Sequence, residues 1–157
     1  MLRRVAIATG VTVPATICGG CLLYRYQHRP ELPPHSLPSQ ASKVVVITGA
    51  TSGIGHAVAL KLSELGGTVV IGSRDAARGE AVRREILAAG GSSEVFPLEL
   101  SSPRSVLEFC REVRNRHDVV DTLLCSGAEI LAEPALTSDG IDKAFATNTL
   151  STYGLVR

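Results

Sequence analysis

The 157-residue sequence predicts an α/β fold with a parallel, doubly wound sheet. Over residues 43–157, β-branched runs of strand length alternate with stretches of helical spacing in the order βαβαβαβα. The first run, Lys43-Val-Val-Val-Ile-Thr48, is apolar at consecutive positions, the mark of a strand buried on both faces. Glycines cluster between that run and the helical stretch after it. Composition agrees: 45% hydrophobic with 20% charged fits a globular core and excludes collagen-like, coiled-coil and wholly disordered chains. The 16 Lys+Arg nearly cancel the 15 Asp+Glu, so no electrostatic binding to nucleic acid is expected.

Residues 1–28 read as an apolar anchor. Residues 5–24 carry no charge and are bracketed by Arg3-Arg4 and by Arg25 and Arg29. As a helix, 20 residues span about 30 Å, enough to cross a bilayer. A retained signal anchor is the preferred reading and predicts a membrane protein of the endoplasmic reticulum. A mitochondrial presequence competes, because no acidic residue precedes Glu31, and so does a cleaved signal peptide. Cys18-Gly-Gly-Cys21 has the spacing of a metal or redox pair but lacks a second ligand pair at good spacing, so no metal is expected. Residues 29–42 hold four of the eight prolines and read as an extended linker.

The folded body follows, from residue 43 to residue 157. After the first strand, Ile54, Val58 and Leu62 fall on one side of a helix that Gly66-Gly67 stops. Residues 68–71 form a second strand. Asp75 caps the next helix, whose buried positions are Val82, Ile86 and Ala89. A third strand covers residues 94–100, with Pro97 marking an edge. Ser102-Pro103 opens a helix with Val106, Phe109, Cys110 and Val113 inward. Residues 119–124 are strand four, and Ile141, Phe145 and Thr149 line one face of the last helix. Cys110 and Cys125 read as core positions; four cysteines are too few for a disulfide scaffold, and a reducing compartment fits.

Thr48-Gly-Ala-Thr-Ser-Gly-Ile-Gly55 stands between the first strand and the first helix. Gly49, Gly53 and Gly55 allow a tight turn that brings amide groups against a pyrophosphate at the helix N-terminus. Walker A is excluded, because Lys-Ser/Thr does not follow the last glycine. The turn residues Thr48, Gly49, Thr51, Ser52, Gly53, Ile54 and Gly55 are therefore candidates for cofactor binding, in a Rossmann-type sheet. Charge then addresses which cofactor. Sites specific for NAD place a carboxylate at the end of strand two, on the adenosine ribose. Here that position is Ser73, followed by Arg74. A guanidinium can pair a 2′-phosphate through parallel charge-assisted bonds, so NADP(H) is favoured over NAD(H).

Residues 43–157 resemble the short-chain dehydrogenase/reductase family, whose Thr-Gly-x-x-x-Gly-x-Gly signature is matched at every defined position. Gly66-Gly-Thr-Val69 and Ala146-Thr-Asn-Thr-Leu150 are similar to its membrane-anchored branch, which includes retinol-dehydrogenase-like enzymes and the dehydrogenase/reductase member 12 type. The resemblance implies adenine contacts at Glu99 and Leu100, with glutamate where the family usually has aspartate. It also implies cofactor contacts at Ser126 and Gly127, within a Cys125-Ser-Gly-Ala128 that departs from the family's Asn-Asn-Ala-Gly. The implied reaction moves a hydride between the cofactor and an alcohol/carbonyl pair, a lipid-like one by analogy with the anchored branch. Asn148 matches the family's catalytic asparagine.

The family's serine and its tyrosine–lysine pair are expected beyond residue 157. Tyr153, followed four residues on by Arg157, imitates that pair but lies too close to Asn148 along one helix. Residues 1–157 alone are thus expected to lack activity, and to fold poorly with strand four as an exposed edge. The leading function is an NADP(H)-dependent oxidoreductase represented by its cofactor-binding half. The alternatives are a catalytically inactive nucleotide-binding module and a membrane-tethered interaction module.

Overall fold

A computed structural model describes residues 4–6, 12–14 and 37–157 of the chain, which divides into a unit of residues 1–37 and a unit of residues 38–157. In the first unit, β1 (Arg4–Ala6) pairs antiparallel with β2 (Thr12–Pro14). These two stretches are strands where a membrane helix was expected. Val5, Thr12 and Val13 are β-branched, and Gly10 and Pro14 both disfavour a helix interior. The rest of the expected anchor, including Cys18 and Cys21, lies outside the described residues, as does most of the proline-rich linker. Among the described residues, no helix is long and apolar enough to cross a membrane.

The second unit is a four-stranded parallel sheet. Its strands are β3 (Val44–Thr48), β4 (Thr68–Ser73), β5 (Ser92–Pro97) and β6 (Thr122–Cys125), in the order β5-β4-β3-β6. Its long helices are α1 (Gly53–Glu64), α2 (Ala76–Ala88) and α3 (Pro103–Arg116). The chain runs outward from β3 to β5, then returns through α3 to place β6 on the other side of β3. That reversal is the switch point of a Rossmann-type sheet, where ligands bind outside the carboxyl ends of the strands.

Alternation along β3 and β4 divides the core between the two sheet faces. Val45, Ile47, Val69 and Ile71 pack with Ala59 of α1 and with Val82 and Ile86 of α2. Val46 and Val70 pack on the opposite side with Val106, Phe109 and Val113 of α3. Strands β3 and β4 are buried on both faces, as their continuous apolar runs require. The end of the expected linker is docked rather than extended: the Gln40 N–H donates to the Leu65 carbonyl at 2.9 Å.

Several boundaries and faces differ from expectation. Strand β5 ends at Pro97, because after one further bond (Leu98 N–H to Ser73 O, 3.0 Å) the chain turns into α3. Strand β6 starts at Thr122, not residue 119. Asp121 closes it off, its carboxylate accepting the Val44 N–H at 2.8 Å, and Val119 is left exposed. On α1, Gly55, Ala59 and Ser63 face the sheet, while Ile54 is 78% exposed. Small residues face inward there because the helix start lies against the Gly49 backbone. Ala89 is the exposed C-cap of α2, and Cys110 is only half-buried.

The last helix departs most. It is α4 (Lys143–Phe145), a π-helical turn (Ala146–Leu150) and α5 (Ser151–Val156) in succession. The wider turn shifts the helical phase, so Ala146, Thr147 and Ser151 face inward and Phe145 is exposed.

Candidate functional site

The carboxyl ends of β4, β3 and β6 open into one pocket of about 420 Å³. Its floor is the turn from β3 into α1. Gly49 holds φ +72° there, and a Cβ on it would lie 2.6 Å from the Gly127 backbone nitrogen, so only glycine fits. Thr48 is buried below the pocket and ties the two loops together: its hydroxyl oxygen accepts the Gly127 N–H at 3.3 Å, and its carbonyl accepts the Ser126 N–H at 3.2 Å. Gly127 therefore holds the loop after β6 against the glycine turn, even though the sequence there departs from the family pattern.

Helix α1 starts at this floor without a side-chain cap, since the Ser52 hydroxyl bonds no first-turn N–H, and no acidic residue sits in its first turn. In contrast, Asp75 caps α2 by accepting the Arg78 N–H at 3.0 Å, and Ser102 caps α3 by accepting the Ser105 N–H at 3.3 Å. Uncapped amides at a helix N-terminus are aimed donors with a partial positive charge. The glycine turn, followed by these uncapped amides, fits the pyrophosphate of a dinucleotide.

Of the thirteen residues predicted to bind cofactor, Gly49, Thr51, Ser52, Gly53, Ile54, Ser73, Arg74, Glu99, Leu100, Ser126 and Gly127 line the pocket. Thr48 and Gly55 lie behind it as supports. The Ser73 hydroxyl donates to the Asp75 carbonyl at 2.8 Å, so it serves its own turn. Arg74 reaches over the pocket, with Nη1 3.8 Å from Glu129 Oε1. Glu99 Oε1 accepts from the Ser101 N–H at 3.0 Å and from its hydroxyl at 2.9 Å, which fixes the carboxylate at the pocket wall.

Asn148 is not in this pocket wall. It sits mid-way along the π-helical turn, with its carboxamide bonded to the backbone of Glu129. Sequence reasoning missed Gly72, Asp75, Arg78, Leu98, Ala128, Glu129 and Thr147 as lining residues. Arg78 follows Arg74 by one helical turn across the Asp75 cap, and that spacing was the available signal. Tyr153 lies outside the pocket lining, and its ring is covered by the Arg157 guanidinium 4.8 Å from the centroid. Cys125, expected in the core, is exposed at the end of β6. Burial pushes the thiols of Cys110 and Cys125 up, opposed by Arg114 at the first and by a Thr152 hydrogen bond at the second.

With this geometry in place, the short chain dehydrogenase family model matches residues 43–157. The chain belongs to the short-chain dehydrogenase/reductase family. Dehydrogenase/reductase SDR family member 12 of Bos taurus is 36% identical over 115 residues, 72% of this chain and 36% of the relative. Retinol dehydrogenase 14 of Mus musculus is 36% identical over 123 residues, 71% of this chain and 37% of the relative. These relatives place the chain in the retinol-dehydrogenase-like branch, and it spans little more than a third of their length. A solved metagenomic short-chain oxidoreductase in complex with NADP superposes with a TM-score of 0.67 at 36% identity, covering 76% of this chain and 55% of that one.

Proposed function

We propose that residues 43–157 are the NADP(H)-binding half of an oxidoreductase acting on an alcohol/carbonyl pair. Arg74 at the pocket mouth carries the cofactor assignment. It follows Ser73, the position at which a ribose-binding carboxylate would exclude a 2′-phosphate, and Ser73 is neutral. Asp75, the nearest acid along the sequence, spends its carboxylate on the α2 cap. The similar structure solved with NADP supports the same cofactor.

Bound, the dinucleotide supplies the hydride donor or acceptor. The turn amides and the α1 N-terminus would hold the pyrophosphate, in the pocket that Thr51 and Ser52 also line. Glu99 and Leu100 would form the adenine wall, with Gly127 packed beside the Leu100 side chain and Ser126 next to it in the lining. Asn148 acts as a positioning residue, through the loop after β6. No tyrosine of residues 1–157 is followed four residues later by lysine, so the proton-transfer pair of the family is not among them. A lipid-like alcohol or aldehyde is the proposed substrate class, supported by the retinol dehydrogenase relative.

Titrating the full chain with NADPH and NADH tests the assignment. Arg74→Ala should weaken NADPH about tenfold or more and leave NADH within about twofold, as the loss of a charge-assisted pair predicts. Equal loss for both cofactors would remove the 2′-phosphate role. Membrane association, with the endoplasmic reticulum as the proposed site, rests on the uncharged run of residues 5–24 between arginines. Carbonate extraction decides it: release into the soluble fraction contradicts an anchor, and import into mitochondria with shortening favours a presequence.

A further inference from the structure

Glu129 places an acidic side chain inside the proposed phosphate-binding pocket, where an anion should weaken phosphate binding. Its side chain is 23% exposed and has two cationic neighbours. Lys143 Nζ lies 3.2 Å from Oε1 and 3.1 Å from Oε2, and Arg74 Nη1 lies 3.8 Å from Oε1. The backbone is fixed as well, since Asn148 bonds both its N–H and its carbonyl. Arg74 follows β4 and Glu129 follows β6, the two strands that flank β3. The ion pair therefore spans the glycine turn from one side of the pocket to the other.

We propose that Glu129 is a specificity-determining residue that occupies Arg74 as an internal stand-in for the 2′-phosphate, and that Lys143 takes over the carboxylate when Arg74 turns to the cofactor. The proposal takes NADP(H) as the cofactor, so it rests on the function proposed above. The exchange runs toward cofactor on simple charge grounds. A phosphate monoester carries about −1.5 to −2 at neutral pH against −1 for the carboxylate, and it offers Arg74 three acceptor oxygens. Lys143 touches both oxygens of Glu129, so the carboxylate left behind stays paired. NADH brings no phosphate to this place, so Arg74 remains on Glu129 when NADH binds. Glu129 thereby lowers NADPH affinity by the worth of one partly exposed ion pair, and Lys143 limits the loss.

The test is equilibrium binding of NADPH and NADH to the full chain, read by calorimetry with no turnover required. Glu129→Gln keeps the shape and removes the charge, and should tighten NADPH about two- to fivefold, the worth of such a pair, with NADH unchanged. Lys143→Gln strands the carboxylate and should weaken NADPH by a similar factor, and adding Glu129→Gln to it should restore the affinity. In an Arg74→Ala background, Glu129→Gln should change NADPH no more than it changes NADH. If Glu129→Gln leaves NADPH unchanged, or shifts both cofactors equally, the exchange is wrong even where Arg74→Ala confirms the phosphate role. If Arg74→Ala weakens both cofactors alike, or neither cofactor binds the parent chain, the NADP(H) reading itself fails and takes the exchange with it.

Discussion

Asn148 clasps the backbone of Glu129. Its Oδ1 accepts the Glu129 N–H at 2.9 Å, and its Nδ2 donates to the Glu129 carbonyl at 2.8 Å. One carboxamide thus satisfies both polar groups of a residue on the loop after β6, as a strand neighbour would. The π-helical turn sets the phase that presents Asn148 to that loop, and such turns recur at functional sites.

Asn148→Ala should therefore loosen the loop more than it unsettles the sheet. Two hydrogen bonds at this exposure are worth about 1–2 kcal/mol together. Amide exchange at Glu129 should speed up by about one order of magnitude, while the β3 and β4 amides keep their protection. Unchanged exchange at Glu129 would show that the clasp does not hold the loop. Asn148→Asp keeps the acceptor and loses the donor, and should fall between the parent and the alanine variant.

The glycine turn gives a sharper contrast. At Gly49, positive φ and the approach of the Gly127 backbone act together, so Gly49→Ala should cost about 3 kcal/mol or more, strain and overpacking combined. At Gly53, φ is +53° but an added Cβ meets nothing within 4 Å, so Gly53→Ala should cost about 1 kcal/mol. Urea unfolding of the two variants measures the difference. Equal costs would mean that the contact between the two loops is not held in solution.

What the sequence revealed, and what it hid, divides along the same physical line. The turn of residues 48–55 was readable because its function needs particular residue types at fixed local spacing. Strands β3 and β4 were readable because burial on both faces leaves no alternation to misread, whereas the less buried β5 and β6 were placed with shifted bounds. Glu129 was not, because what makes it matter lies elsewhere in the chain: Lys143 is 14 residues away and Asn148 is 19. Ile54 misled because helix periodicity marks an apolar side, while the face actually buried is made of Gly55, Ala59 and Ser63. The inward face of the last helix was hidden by its π-helical turn, which breaks the 3.6-residue period on which such readings depend.

The half-buried Cys110 and the more exposed Cys125 predict a pH dependence. The pKa of Cys110 is raised above the ordinary 9.0, first by burial, with Arg114 opposing. That of Cys125 is also raised above 9.0 by burial, with the Thr152 hydrogen bond opposing. A group whose folded pKa exceeds its unfolded one contributes stability in full below the unfolded value and loses it as pH rises through the folded one. Stability attributable to the thiols should therefore be flat up to about pH 8 and decline above pH 9, the side on which thiolate would form in a partly apolar setting. In a Cys18→Ser/Cys21→Ser background, thiolate absorbance should titrate with both midpoints above the ordinary value. The urea midpoint should drop over the same interval, and Cys110→Ala together with Cys125→Ala should flatten that drop. Cys110 titrating below its ordinary value would mean that Arg114 outweighs burial, and Cys125 doing so would mean that the Thr152 bond outweighs it and that Cys125 is a reactive residue at the end of β6.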